Sequence, residues 1–280
     1  MPQINEGEAM HHFFADTSNI DPGAGTARIV GIDVNHIRNA LRMKPGEQIL
    51  ISDGQGQDYL GQIKELSAEA VLVENLLPVS GRELPASITL YQGLPKSDKM
   101  ELIIQKAVEL GADRIVPVAT RNAVVKLDRK KEESKRKRWQ AIAESAAKQS
   151  KRSRIPEIGP VMAFQEAVSD ADGTLGFFAY ENAEGMTGTA GLLKRVVPGE
   201  KISVFIGPEG GFDEEEAEAA KENGILPVSL GSRILRTETA GLAILSVLMM
   251  RLEILGEMEA ERTEETDKAG QAEVQQGRKQ

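Results

Sequence analysis

The sequence predicts an α/β protein built from a small N-terminal β-barrel and a larger domain of alternating strands and helices. Residues 26–92 hold several short apolar or alternating runs, separated by Pro-Gly and Asp-Gly turn signals and by one short helix. Many short strands in so little chain are typical of a small barrel. Further along, apolar strands alternate with helical periodicities, which predicts a mainly parallel sheet covered by helices. We expect the two domains to occupy residues 1–84 and 85–256.

The strands expected in and just after the first domain are short apolar or alternating runs. They read TARIVGID, EQILISD, DYLGQIKEL, AVLVENLL and ASITLYQGL. One helix interrupts them near Asn35 to Met43, where His36, Ile37, Ala40 and Leu41 share a face. The segment Arg82 to Pro85 is the expected linker out of the barrel.

In the second domain, strands and helices are expected in alternation. The strands are ITLYQGL, RIVPVAT, TLGFFAY, KISVFIG and ILPVSLG, and the helices cover Lys99 to Leu110, Lys130 to Ser150, a short segment around Leu192, DEEEAEAAKENG and Thr237 to Leu255. The last helix is apolar almost all round over GLAILSVLMM, so we expect it to be buried, most naturally at a subunit interface. Residues 257–280 lack apolar periodicity and are predicted to be a disordered acidic tail.

Composition excludes several classes of function. The 280 residues include no cysteine and three histidines, His11, His12 and His36, so disulfides, cysteine nucleophiles and a metal site are not expected. No targeting signal is visible, and charged residues interrupt the most apolar stretch. We expect a soluble, cytoplasmic protein with no membrane contact.

The distribution of charge reverses the first impression that the net charge gives. The chain carries a formal charge of −9, which argues against a nucleic-acid partner. Residues 121–154, however, hold 13 basic and 4 acidic residues. This segment therefore carries +9 and the remainder −18. It is either a solvated helix face or a phosphate-binding surface, and Trp139, at helical spacing from Ile142, Ala143 and Ala146, is expected to anchor it to the core.

The first glycine-rich loop follows the apolar strand VFIG. It reads Gly207-Pro208-Glu209-Gly210-Gly211-Phe212, and Asp213 with Glu216 then forms a predicted capping box. The glycines either serve a tight turn or let a ligand touch bare backbone. Because acids rather than a lysine or arginine follow, the loop favours a neutral or cationic ligand over phosphate.

The second loop leads into the last helix. It holds two arginines, Arg233 and Arg236, and then Thr237, Glu238 and Thr239, of which either threonine can cap the helix. Arg236 and Glu238 are either a local ion pair or functional groups.

Together the two loops are far more specific than either alone. Gly207-Pro208-Glu209-Gly210-Gly211, followed by Leu230-Gly231, Arg233-Ile234-Leu235-Arg236 and Glu238-Thr239-Ala240, resembles the ribosomal RNA small subunit methyltransferase E family of the SPOUT superfamily. Further matching pieces run over roughly residues 12–256. They include His36-Ile37, Leu41-Arg42-Met43, Gly93-Leu94-Pro95-Lys96, Lys99-Met100-Glu101, Gln105-Lys106 and Glu109-Leu110-Gly111-Ala112.

The resemblance implies a PUA-like RNA-recognition barrel and a SPOUT methyltransferase domain with a trefoil knot. It further implies S-adenosylmethionine as cofactor, a homodimer, and methylation of N3 of a uridine in 16S ribosomal RNA or the small ribosomal subunit. The cofactor-binding residues that it implies lie in three loops. They are Ala179, Tyr180, Glu181, Ile206, Gly207, Pro208, Glu209, Gly210, Gly211, Leu230, Gly231, Ile234, Leu235, Arg236, Thr239 and Ala240.

Uridine N3 carries a proton at neutral pH, so its methylation needs a proton acceptor and a cation that stabilises the anionic base. Arg236 is the candidate cation, and Glu238 or Glu209 the candidate acceptor. Candidate RNA contacts are basic or aromatic residues along the chain, namely His12, Arg42, Arg121, Lys126, Lys148 and Arg152.

Other classes stay open at this point. A dehydrogenase-like enzyme would need a glycine-rich loop after an early strand and an acid at the end of the next strand, and neither is visible in the sequence. A non-catalytic RNA-binding protein on the same scaffold, or a methyltransferase acting on another nucleotide or on ribose, fits the same motifs.

Overall fold

The structure, a computed structural model, describes residues 10–277 except 182 and 184, with side chains as far as residue 263. The described chain divides into two compact units. One comprises residues 10–83 together with Arg138–Glu157, and the other comprises Leu84–Lys137 together with residues 158–277. The first stretch of the first unit ends at Glu83, and segment 138–157 returns to that unit.

A six-stranded mixed sheet forms the first unit. Its strands are β1 (His12–Phe14), β2 (Ile20–Asp21), β3 (Thr26–Val30), β4 (Gln48–Ser52), β5 (Asp58–Leu66) and β6 (Ala70–Val79). They lie in the order β1-β4-β5-β6-β3-β2, with β1 parallel to β4 and the other neighbours antiparallel. The first strand was not expected from the sequence, since three residues are too few to show a periodicity.

The predicted helix of this unit begins earlier than expected. Helix α1 (Ile32–Asn35) continues into a π-helical turn at His36–Ala40. Ile37 is fully buried and packs into a core with Phe13, Ile29 and Ile49.

A parallel sheet forms the second unit. Its strands are β7 (Ser87–Gly93), β8 (Arg114–Ala119), β9 (Glu157–Ile158), β10 (Met162–Ala163), β11 (Leu175–Ala179), β12 (Lys201–Ile206) and β13 (Leu226–Val228). The path β10-β8-β7-β12-β11-β13 is parallel throughout, and β9 pairs with β8. The predicted parallel α/β arrangement is therefore confirmed.

The helices follow the predicted order with one addition. They are α2 (Lys99–Glu109), α3 (Arg129–Gln149), α4 (Phe164–Asp170), α5 (Gly185–Leu193), α6 (Glu214–Glu222) and α7 (Thr237–Gly277). The addition, α4, has only seven residues and offers too short a pattern for detection. In α3, Trp139, Ala143 and Ala146 are buried as their spacing predicts.

Helix α7 corrects the prediction of a disordered tail over 257–280. The helix continues through Gly277, and the last three residues lie outside the described part. Glutamate, alanine, glutamine and arginine are strong helix formers and no proline interrupts them, so propensity carries the helix on without an apolar stripe. Within the described residues, one stretch, Thr237–Thr263, is apolar and long enough to cross a membrane by composition alone, and 33% of its most apolar window is buried.

Candidate active site

The carboxyl edge of the parallel sheet brings the predicted loops together. Backbone N–H of Tyr180, after β11, donates to the carbonyl of Val228 at the end of β13 (3.2 Å). The hydroxyl of Thr237, at the start of α7, donates to the carbonyl of Gly207 after β12 (2.7 Å). Ligands of open α/β sheets bind at this edge, so this edge is the candidate binding site.

The first glycine-rich loop is packed too closely for side chains at two points. A Cβ on Gly93, at the end of β7, would lie 2.6 Å from the Cδ of Pro208. A Cβ on Gly207 would lie 3.0 Å from the backbone carbon of Gly211, which itself has a φ of +67°. Phe212 fixes the far end of the loop between the rings of Phe164 and Phe178. The loop is therefore rigid backbone held against the sheet.

Acidic side chains that follow this loop form hydrogen bonds and ion pairs within the protein. Asp213 accepts from the N–H of Glu215 and Glu216 accepts from the N–H of Asp213, which is the predicted capping box. Glu216 is buried and also accepts from the backbone N–H of Arg121 (2.9 Å). Arg121, a predicted RNA contact, forms ion pairs with Asp213 and Glu215.

The second loop is open toward solvent. Gly231 has a φ of +107° and nothing within 4 Å of the position of a Cβ. Ile234 is 87% exposed. Thr189 of α5 holds the start of the loop, since its hydroxyl donates to the carbonyl and accepts from the N–H of Ser229, both at 3.0 Å. The loop therefore exposes an apolar side chain at Ile234 and leaves the space beside Gly231 open.

Two buried polar atoms at the same edge lack a partner among the described residues. They are Oε1 of Gln92, near the end of β7, and Oγ1 of Thr120, just past the end of β8. The amide nitrogen of Gln92 donates to Thr237 Oγ1 (2.9 Å), so its carbonyl oxygen is fixed in place. Unpaired buried acceptors are rare in folded proteins and are consistent with a polar ligand.

A cavity of about 420 Å³ adjoins the predicted loop after β11. Its lining consists of residues from that loop, α5, α6 and β13, namely Tyr180, Ala183, Gly185, Gly188, Thr189, Lys221 and Pro227. Of the three predicted residues in this loop, Tyr180 lines the cavity and Ala179 and Glu181 do not. No group of three or more His, Asp or Glu side chains suited to a metal ion occurs in the described part of the chain.

The candidate proton acceptors converge on a lysine that sequence reasoning did not single out. Nζ of Lys99, in the first turn of α2, lies 3.2 Å from Oε1 of Glu209 and 3.0 Å from Oε2 of Glu238. Arg236 is exposed one residue before α7. Lys99 belongs to a piece of the family resemblance, which was the only signal in the sequence that could have pointed to it.

Both carboxyl groups are ionised at neutral pH. A hydrogen bond from its own backbone, supported by Lys99 and by the charge of Arg236, lowers the pKa of Glu238. Burial alone would raise the pKa of Glu209, but hydrogen bonds from its backbone, Lys99 and the N–H of Lys96 outweigh burial and lower it. These two carboxylates can therefore accept a proton, and neither carries one of its own.

The predicted RNA contacts of the first unit have different surroundings. Arg42 is exposed with a φ of +56°, whereas Lys148 pairs with Asp33 and Glu144. His12 is half-buried, its Nε2 lies 2.5 Å from Ser52 Oγ, and burial lowers its pKa to about 4. A neutral, internally bonded imidazole is a poor phosphate ligand.

Arg152 corrects the prediction of an RNA contact most clearly. It is 5% exposed, and its guanidinium forms an ion pair with Glu83, with Nε 3.1 Å from Oε2. The backbone N–H groups of Ser153 and Arg154 donate to the other oxygen of Glu83. The guanidinium of Arg152 is thus already neutralised by a carboxylate and has little exposed surface for a phosphate. In the second unit, Lys126 is exposed.

Two protein-family models match the chain. One family model, of an RNA methyltransferase PUA domain, matches residues 23–74, and another, of an RNA methyltransferase domain, matches residues 82–249. The class that the fold and the site define is therefore that of the RNA methyltransferases.

The similarity to individual proteins is more specific. Ribosomal RNA small subunit methyltransferase E of Bacillus subtilis (strain 168) is 36% identical over 240 residues, which cover 83% of this chain and 93% of that protein. The protein of the same name from Synechocystis sp. is 32% identical over 231 residues, covering 81% of this chain and 74% of that protein. The chain belongs to the ribosomal RNA small subunit methyltransferase E family.

Solved structures show the same similarity. The ribosomal RNA small subunit methyltransferase E of Neisseria gonorrhoeae, bound to S-adenosyl methionine, superimposes with a TM-score of 0.73 at 32% identity. A Legionella pneumophila protein in complex with the bound cofactor SAM gives a TM-score of 0.72 at 30% identity. Each alignment covers 86% of this chain and 97% of the other.

Proposed function

We propose that the protein transfers a methyl group from S-adenosylmethionine to N3 of a uridine in 16S ribosomal RNA of the small ribosomal subunit. The observation that carries the proposal is the convergence of three loops at the sheet edge with Arg236, Glu209 and Glu238 beside them. The names of the relatives support the RNA substrate, and the two cofactor-bound structures support the methyl donor.

The residues present fit this cofactor. Backbone at Gly207 to Gly211 and at Leu230 to Gly231 offers polar groups without side-chain bulk, and the orphaned acceptor of Gln92 suits an amino group. When bound, the cofactor supplies an electrophilic methyl group on a positively charged sulfur. No cation of the phosphate-binding type begins α6 in the described chain, since its first turn is acidic, and this favours a ligand without phosphates.

The protein's own groups have two tasks in the reaction. Arg236 stabilises the negative charge that uracil gains as N3 loses its proton. Glu238 or Glu209 accepts that proton, which both can do because they are ionised. Preorganised charge of this kind makes the nitrogen lone pair available for attack without a covalent enzyme intermediate.

The packing of Gly93 against the cofactor loop yields a prediction. We expect Gly93→Ala to weaken S-adenosylmethionine binding about tenfold, because the new Cβ forces Pro208 to move and overpacking of this kind costs about 1–3 kcal/mol. Isothermal titration calorimetry measures the effect. Gly191→Ala in α5 is the matched control, since nothing lies within 4 Å of its Cβ position. Equal affinity of the Gly93→Ala variant and the wild type would show that this contact does not shape the cofactor site.

We also propose a trefoil knot in the second unit and a closed PUA-like barrel in the first. The chain leaves the edge strand β13 at Val228, yet α7 starts at Thr237 between the ends of the neighbouring central strands β7 and β12. This return to the centre supports a knotted path. The six-stranded mixed sheet and the PUA-domain match support the barrel. Exposed Arg42 and Lys126, with the other exposed basic residues of segment 121–154, are the proposed RNA-binding groups.

A homodimer formed through α7 is part of the proposal. Val247, Met250, Ile254 and Met258 repeat at spacings of three and four residues and are 46% to 60% exposed. Such an apolar stripe on a helix is suited to a partner helix. We place the protein in the cytoplasm, and burial of this stripe in a dimer explains why α7 is so apolar.

We expect Met250→Glu to convert a wild-type dimer into a monomer, because it places a charge in the centre of the stripe. Sedimentation velocity distinguishes the two states. Glu259→Gln on the same helix lies outside the stripe and should remain dimeric. A wild type that sediments as a monomer at micromolar concentration would contradict the dimer.

A further inference from the structure

One lysine connects the first glycine-rich loop with the start of α7, where the proposed function places the two candidate proton acceptors. Lys99 of α2 donates to Glu209, in the loop after β12, and to Glu238, in the first turn of α7. The three side chains are 29%, 27% and 17% exposed, so solvent screens them only partly. Glu209 also accepts from the backbone N–H of Lys96, at 3.2 and 3.3 Å. Three elements that are distant in sequence thus meet at a single ammonium group.

The net charge of this cluster is zero only when the lysine is present. The charged groups that face one another among the described residues are Lys99 from α2, Glu209 from its loop, and Glu238 with Arg236 at the start of α7. Two carboxylates this close repel each other, and one of them would retain a proton at a higher pH without a cation between them. Arg236 is assigned to the uracil, which leaves Lys99 to neutralise the pair.

We propose that Lys99 is a positioning residue of the reaction. It holds Glu209, in the loop after β12, and Glu238, at the start of α7, side by side as ionised carboxylates. The inference rests on the proposed function, because only a reaction that removes a proton needs an ionised acceptor here. In this role the lysine acts through the two carboxylates and not directly on the reacting atoms. It sets the ionisation state and the position of the carboxylate that accepts the proton.

The test is a titration of the carboxyl groups by ¹³C NMR in the full-length protein without ligands. Resonances are assigned with Glu209→Gln and Glu238→Gln. In Lys99→Met, one of the two carboxyl groups should titrate about one pH unit higher than in the wild type, whereas Lys99→Arg should keep the wild-type titration. Lys106→Met is the matched control, because Lys106 forms a similar ion pair with Glu109 on the same helix.

The pH profile of methyl transfer gives a second readout. The acid limb of the rate should move upward by about one pH unit in Lys99→Met and stay in place in Lys99→Arg and Lys106→Met. Unchanged titration and an unchanged acid limb in an active Lys99→Met variant would overturn the inference and leave the proposed function standing. A wild type that binds no S-adenosylmethionine would instead overturn the proposed function, and the inference with it.

Discussion

Replacement of Arg236 by alanine is expected to lower the rate of methyl transfer about 10²- to 10³-fold. The guanidinium is the cation assigned to the anionic uracil, and the loss of one preorganised donor to a developing charge has an effect of this size. Cofactor affinity should change only a few-fold, because backbone rather than this side chain forms most of the cofactor site. Single-turnover methyl transfer from labelled S-adenosylmethionine to 16S RNA measures the rate, and calorimetry measures the affinity.

Two further variants make this prediction decisive. Arg195→Ala, which removes an exposed arginine in another loop, should retain the wild-type rate. Arg236→Lys should regain part of the rate, since it restores the charge without the planar fork of donors. A rate for Arg236→Ala within about threefold of the wild type would remove Arg236 from the mechanism.

Replacement of Arg152 by methionine is expected to destabilise the protein by about 3 kcal/mol. The ion pair with Glu83 is buried, and removal of one partner leaves the other as an uncompensated charge. This loss lies at the lower end of the range for breaking a buried ion pair, because two backbone N–H groups continue to donate to Glu83. Urea unfolding followed by tryptophan fluorescence measures the change, since Trp139 lies in the same unit.

The loss of stability on breaking an exposed ion pair separates the effect of burial from the effect of charge. Lys64→Met breaks an ion pair with Glu74 whose side chains are 59% and 39% exposed, and should cost less than about 1 kcal/mol. The double variant Arg152→Met/Glu83→Gln also removes the charge of the unpaired Glu83 carboxylate. It should recover part of the lost stability. Equal, small losses in Arg152→Met and Lys64→Met would mean that the buried pair contributes little, and would reopen a role for Arg152 in RNA binding.

Local patterns predicted the parts of the structure that depend on neighbouring residues. The helical spacing from Trp139 to Ala146 predicted the buried face of α3, and Asp213 with Glu216 predicted the cap of α6. Alternating strands and helices predicted the parallel sheet. The first two features arise within a few turns of one helix, where neighbours in sequence are neighbours in space, and the sheet follows from the alternation of strands and helices.

Contacts between distant segments were beyond such reasoning. Thr237 bridges Gln92 and Gly207, and Lys99 meets Glu238 across 139 positions of the chain, so both depend on the order of strands in the sheet. Arg152 was predicted to face RNA because basic residues surround it, but the position of Glu83 decides its role. The resemblance named the loops, and the fold shows which side chains meet there.

The most direct test of the proposed activity is mass-spectrometric analysis of nucleosides from 16S RNA or small subunits treated with the protein and S-adenosylmethionine. The substrate should come from cells that lack the corresponding activity, so that the target is unmodified. We expect 3-methyluridine at a single position with the wild type, and a strongly reduced amount with Arg236→Ala. Methylation of a ribose oxygen or of another base, or no methyl incorporation at all, would contradict it.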